Sequence, residues 1–134
     1  MPIVTTIEGR IAQVAIDRPE KRNTLSSELC KDLAREFLEL NDDTRVRSIV
    51  LCGHNNVFCA GLDIEEQLAE NTPIFNEFQK VIDALDALSK PVVAAVSGPA
   101  VSQGAAMLYH CDLVFAGEHA PVSYTHLTLP TNSL

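Results

Sequence analysis

Two segments of this 134-residue chain combine residue types that can stabilise a developing negative charge. The first is Asn55-Asn56-Val57-Phe58-Cys59-Ala60-Gly61-Leu62-Asp63-Ile64. The second is Ser97-Gly98-Pro99-Ala100-Val101-Ser102-Gln103-Gly104-Ala105-Ala106. Each follows a β-branched apolar run that reads as a buried strand, and each turns on glycine into a stretch that can start a helix. Two such turns can aim backbone N–H groups at one oxygen atom, which is the equipment for stabilising an enolate. An acid or base beside them is harder to find. Glu65, Glu66 and Glu118 read as surface groups, His110 as a packed or capping histidine, and His54 as part of an exposed polar loop. Cys59 is a tempting nucleophile, but Phe58 and Ala60 on either side favour a buried structural thiol. No metal-ligand spacing occurs.

The elements that would hold these loops follow from periodicity. Ile3–Ile7 and Ile11–Ile16 read as strands joined at Gly9-Arg10 into a hairpin. Asp17-Arg18-Pro19-Glu20-Lys21-Arg22-Asn23 is a polar, proline-broken loop. Ser26 or Ser27 caps a helix with Leu29, Leu33, Phe37 and Leu40 at helical spacing. Val46–Cys52 is a strand expected to be covered on both faces. Glu65–Ala69 reads as a short helical turn. Pro73 suits the first position of a helix carrying Ile74, Phe78, Val81, Ile82, Leu85 and Leu88. Val92–Val96 is another covered strand, Gly104–Tyr109 a small-residue helix and Asp112–Ala116 a further strand. Strands alternating with helices predict an α/β fold with parallel pairing after the opening hairpin. From Pro121 onward neither a helix nor a strand period is kept.

Composition narrows the function. The chain is 46% hydrophobic and 21% charged, with a net charge of −8 and a pI near 4.8. That balance argues against a nucleic-acid surface, which needs clustered Lys and Arg. It leaves a highly anionic ligand dependent on a few local cations, so Arg18, Lys21 and Arg22 stand out. The four cysteines show no CxxC spacing, so buried free thiols in a reducing, cytoplasmic setting are expected. Neither a signal peptide nor a run of transmembrane length is read, so no membrane partner is expected.

Four ordered stretches carry a family resemblance. They are Asp17-Arg18-Pro19-Glu20-Lys21-Arg22-Asn23-Thr24-Leu25, Phe58-Cys59-Ala60-Gly61-Leu62-Asp63-Ile64, Lys90-Pro91-Val92-Val93-Ala94-Ala95-Val96-Ser97-Gly98-Pro99-Ala100 and Cys111-Asp112-Leu113-Val114-Phe115-Ala116. Together they resemble the enoyl-CoA hydratase/isomerase (crotonase) superfamily, from the start of the chain to about Ala120. The resemblance implies a spiral of ββα units and a coenzyme A thioester as substrate. It implies no separate cofactor, and a homotrimer or dimer of trimers for the full-length parent. It also implies an oxyanion hole from the N–H groups of Leu62 and Gln103, where one preorganised donor contributes about 3 kcal/mol to a transition state. Lys21 and Arg22 would meet the coenzyme A phosphates, and Ala60, Leu62, Asp63 and Ile64 would line the coenzyme A site. Asp63 reads equally as the N-cap of the next helix.

Two departures from the family shape the expected chemistry. Ser102-Gln103-Gly104 replaces a glycine triplet. If position 103 takes positive φ, Gln costs roughly 1 kcal/mol more than Gly; if it is helical the cost vanishes. Ala106 stands where the hydratases of the family carry a glutamate, and position for position the second family carboxylate would fall at His126. Relatives that act as Δ3,Δ2-enoyl-CoA isomerases in fatty acid metabolism lack the first glutamate and use one downstream carboxylate. One shuttling base suffices for isomerisation, whereas hydration needs a positioned water. The expectation is therefore an isomerase-like parent, with a hydratase as alternative and a non-catalytic coenzyme A-binding module or inactive fragment as a third reading. Residues 1–120 read as a partial, truncated crotonase-like domain and 121–134 as a non-family tail, from read-through or a frameshift. Without a carboxylate, little or no turnover is expected. The apolar faces of Val92–Val96 and Leu113–Ala116 are expected to lack full cover.

Overall fold

A computed structural model describes residues 2–70 and 74–123. The chain opens with the expected hairpin. β1 (Ile3–Glu8) and β2 (Ile11–Ile16) pair antiparallel from Ile3 opposite Ile16 to Glu8 opposite Ile11. Gly9, at φ +62, turns the chain between them, a conformation that costs glycine nothing. β3 (Ser48–Gly53), β4 (Val92–Val96) and β6 (Leu113–Ala116) then add in parallel, giving the sheet order β1-β2-β3-β4-β6.

Helices make the crossovers that parallel pairing requires. α1 (Ser27–Asp42) joins β2 to β3, and α2 (Ile64–Glu70) and α3 (Ile74–Ala87) join β3 to β4. α4 (Gln103–Leu108) lies between β4 and β6. Ser26 is the N-cap of α1, its Oγ accepting from Leu29 N–H at 3.0 Å, an interaction typically worth about 1 kcal/mol. The stripe Leu29, Leu33, Phe37 and Leu40 is buried, and so are Ile74, Phe78, Val81, Ile82 and Leu85 of α3, which packs on α1. Lys90 Nζ donates to the carbonyls of Leu40 and Asp43 at 2.5 and 2.7 Å. It thereby holds the C-terminal end of α1, where a cation suits the exposed carbonyls.

The differences from the sequence reading are local. β3 starts at Ser48, because Val46 N–H bonds Asp43 C=O in a turn. Ile49 and Leu51 are buried while their strand neighbours are half-buried, so β3 is fully covered on one face rather than two. Pro19–Lys21 forms a single 3-10 turn inside the polar loop. Two short strands were not anticipated. β5 (Ala100–Val101) pairs in parallel with β7 (Val122–Ser123), inside the stretch where no strand period was found. In β4, Val92, Ala94 and Val96 are buried, whereas all four residues of β6 are exposed. Pro73 and the rest of the tail, 124–134, including His126, lie outside the described residues. No helix among the described residues is long and apolar enough to cross a membrane.

Candidate active site

The two glycine-bearing loops are zipped together. Phe58 and Cys59 N–H both donate to Pro99 C=O, at 3.0 and 3.2 Å, and Val101 N–H donates to Cys59 C=O at 3.0 Å. On its other edge the first loop pairs with Leu25, which donates to Gly61 C=O at 2.8 Å and accepts from Asp63 N–H at 2.8 Å. In extended backbone, successive residues present their N–H groups to alternate edges. Cys59 faces the second loop, so simple alternation would turn Gly61 toward it as well. Gly61, at φ +103, breaks that alternation. Gly61 and Asp63 face Leu25 instead, and the N–H of Leu62 falls on the edge of the second loop. Among the described residues it has no hydrogen-bond acceptor, although Leu62 is buried.

Gln103 opens α4, so its N–H has no carbonyl one turn back, and it too has no acceptor among the described residues. A Cβ on Gly104 would lie 2.2 Å from Cys59 C=O, so the start of α4 rests directly on the first loop. Unpaired N–H groups are rare in protein interiors, and those that occur call for an explanation such as a ligand or catalytic role. The two unpaired donors are therefore carried by loops bonded to each other. The question of φ at position 103 has a definite answer. Gln103 is helical, and the strained residue is Ser102, at φ 57 and ψ −123. Ala106, on the same helix, is half-buried against the core.

The residues around the polar loop are more committed to structure than their types suggested. Arg18 pairs with Asp63 Oδ2 at 3.1 Å and donates to Thr24 C=O at 3.0 Å. Asp63 Oδ1 accepts from Glu66 N–H at 3.2 Å, so this carboxylate does cap α2. Lys21 Nζ lies 3.4 Å from Glu65, in a surface cavity of about 450 Å³ lined also by Arg18, Ser26, Glu28, Asp63 and Glu66. Arg22 is exposed in the left-handed region and does not line that cavity. Ala60 is half-buried beside Cys59, and Ile64 is exposed at the start of α2.

One residue was missed. Asn23 is fully buried at φ 58; its Nδ2 donates to the carbonyls of His54, Val57 and Phe58, and its Oδ1 accepts from Arg18 N–H at 2.7 Å. The available signal was its type, since Asn tolerates the left-handed region and bonds backbone at turns.

The thiols behave as expected of free cysteines: Cys30 and Cys59 are buried, Cys52 and Cys111 half-buried. Burial pushes Cys30, Cys59 and Cys111 up to about 12, with nearby Cys59 adding to the effect at Cys30 and Asp112 at Cys111. Burial also raises Cys52, against an opposing hydrogen bond from Gln13. The thiolate is the reactive form. In the folded chain at pH 8, Cys52 is expected to react first with a disulfide reagent, and Cys30 and Cys59 only on unfolding. Time-resolved thiol titration with peptide mapping checks the order. Among the described residues no group of three or more His, Cys, Asp or Glu is placed to hold a metal ion.

The enoyl-CoA hydratase/isomerase family model matches residues 6–130. The chain belongs to this family. It is 34% identical over 123 residues to the short-chain-enoyl-CoA hydratase of Clostridium acetobutylicum, a match covering 88% of this chain and 47% of that protein. Among solved structures it is similar to OdaA of Pseudomonas aeruginosa, at 35% identity and a TM-score of 0.82 over 89% of this chain and 49% of that one. The enoyl-CoA hydratase/isomerase of Pseudoalteromonas atlantica gives 32% identity and a TM-score of 0.82, over 94% and 51%. The expected crotonase-type fold is therefore present, and this family member spans about half the length of the relatives it matches.

Proposed function

We propose that this enoyl-CoA hydratase/isomerase family chain binds an acyl-CoA thioester with the carbonyl oxygen between Leu62 N–H and Gln103 N–H. The observation that carries the reading is that these two donors, on bonded loops, have no acceptor among the described residues. A thioester oxygen gains negative charge when the neighbouring carbon loses a proton, and fixed donors stabilise that charge without reorganising. Lys21, beside Arg18 on the same cavity, is the cation we assign to the coenzyme A phosphates, and it must exchange Glu65 for a phosphate. Ala106 favours double-bond isomerisation as the reaction, because a methyl group cannot position a water or move a proton. Hydration is the second reading, and it rests on the hydratase name of the Clostridium relative.

Calorimetric titration with crotonyl-CoA and with free coenzyme A tests the binding. The thioester is expected to bind roughly tenfold or more tighter, the equivalent of about 1.4 kcal/mol for its extra hydrogen bonds. Equal affinities would remove the carbonyl from the two N–H groups. Parallel assays of 3-enoyl-CoA isomerisation and 2-enoyl-CoA hydration then decide between the two reactions.

A further inference from the structure

We propose that Ser102 is a nucleophile that accepts the acyl group of a coenzyme A thioester, forming an oxygen ester on the chain. This rests on the reading that the thioester carbonyl lies between Leu62 N–H and Gln103 N–H. Ser102 occupies the turn between β5 and α4 at φ 57 and ψ −123. That conformation costs a non-glycine residue about 1–2 kcal/mol, and the local sequence Ala100-Val101-Ser102-Gln103-Gly104 fits a sharp strand-to-helix turn. The flanking positions have to be small. Ala100 is fully buried, and Gly104 sits against Cys59 C=O. A serine on a strained strand-to-helix turn between small residues is the arrangement of a nucleophile elbow. There, the N–H after the serine is one of the oxyanion donors. The residue after Ser102 is Gln103.

The hydroxyl is placed accordingly. Ser102 Cβ and Oγ lie 3.3 and 3.8 Å from the point a Cβ on Gly61 would occupy. Gly61 immediately precedes Leu62, so the side chain lies against the residue before one donor and directly precedes the other, Gln103. Ser102 Oγ donates to Gln103 Oε1 at 2.6 Å, which fixes the hydrogen and leaves the oxygen lone pairs turned away from the amide.

Ser102 Oγ attacks the carbonyl carbon, an O–C bond forms, and the carbonyl oxygen takes the charge between the two N–H groups. The C–S bond then breaks. Coenzyme A leaves as a thiolate, and free thiols ionise near pH 8.5, so no acid is needed at that step. The serine proton passes through solvent to the sulfur, and the sum is serine plus thioester giving ester plus thiol. Gln103 cannot take the proton. His110 pairs with Asp86 at 2.7 Å beyond the other end of α4. Attack therefore depends on solvent hydroxide, and the acylation is slow and stoichiometric, with a rate rising about tenfold per pH unit.

The test is to incubate the 134-residue chain with butyryl-CoA between pH 7 and 9 and to follow thiol release and intact mass. One acyl group per chain, mapped to Ser102 and absent in Ser102→Gly, is expected. Glycine relieves the positive φ, so that variant should melt no lower than the parent chain, and its loss of labelling cannot be a folding defect. An adduct on Cys52 or a lysine in place of Ser102, or no adduct while calorimetry shows thioester binding, overturns the proposal and leaves the binding reading intact. If no thioester binds, the binding reading fails and the thioester falls as acyl donor, and p-nitrophenyl butyrate then tests Ser102 as a nucleophile separately. Labelling of Ser102 by that ester supports the nucleophile, and an unlabelled Ser102 overturns it.

Discussion

Gly104→Ala is expected to be among the most damaging single changes to the site. An added Cβ would lie 2.2 Å from Cys59 C=O and 2.9 Å from Cys59 Cβ, with backbone on both sides of the clash. Neither partner is the flexible end of a side chain, so α4 has to lift from the first loop. The Val101 N–H bond to Cys59 C=O lies in the same seam and would stretch or break. Overpacking of this kind typically costs 1–3 kcal/mol, occasionally more, and we expect about 3 kcal/mol here. For a domain of this size that is a melting temperature lower by roughly 10 °C. The functional loss should exceed the stability loss, because lifting α4 separates the two donors. Calorimetric melting and crotonyl-CoA titration measure the two effects. Unchanged thioester affinity in a folded Gly104→Ala chain would mean that the seam does not set the donor spacing.

The second large effect is expected at Asn23. Its side chain is fully buried, and its Nδ2 serves three carbonyls at 3.1, 2.9 and 3.4 Å. Asn23→Ala leaves those oxygens and Arg18 N–H without this partner, and each buried unsatisfied group costs about 1–3 kcal/mol. A net loss of about 3 kcal/mol is expected. Asn23→Asp should be worse at neutral pH, because one carboxylate oxygen keeps the Arg18 N–H while the other, in the place of Nδ2, faces carbonyl oxygens with no proton to give them. Burial and those oxygens raise such an acid above its unfolded value. The extra instability is therefore present above the raised value and fades as pH falls, when the protonated acid can donate again. Denaturant titrations of the two variants between pH 4 and 8 check the sign. Equal stability of Asn23→Asp and Asn23→Ala at both ends of that range would overturn this account.

These two positions show what sequence could and could not convey. Helical spacing located α1 and α3 well, since burying Leu33, Phe37, Phe78 and Val81 is a local matter of which face is apolar. β-branched runs located β1 to β4 for the same reason. Asn23 could not be read in this way, because its partners are more than thirty residues away in a loop. β5 and β7 are two residues each, too short to show a period, and exist only because Ala100 N–H and Ser102 N–H find Pro121 and Ser123 carbonyls. Whether position 103 is strained was left open by the sequence, because the answer depends on where α4 begins. Glycine replacement pointed to the loop, and only the backbone trace moved the positive φ to Ser102. Charge alone did not show that Arg18 and Asp63 are held by each other and Arg18 by Thr24, while the cap of α2 was one of the two roles the sequence allowed for Asp63.

β6 has a consequence for how the chain behaves in a tube. It forms the margin of the five-stranded sheet, bonded to β4 on one side, and Leu113, Val114 and Phe115 are exposed at 57%, 43% and 65%. Among the described residues no strand pairs with its outer edge, and an apolar edge of this kind offers backbone groups and oily side chains to a second molecule. Loss of monomer should then be a matter of encounter frequency, steep in protein concentration while the fold is still intact. Dilution would preserve the sample, and cooling would help less, because hydrophobic association weakens only gradually in the cold.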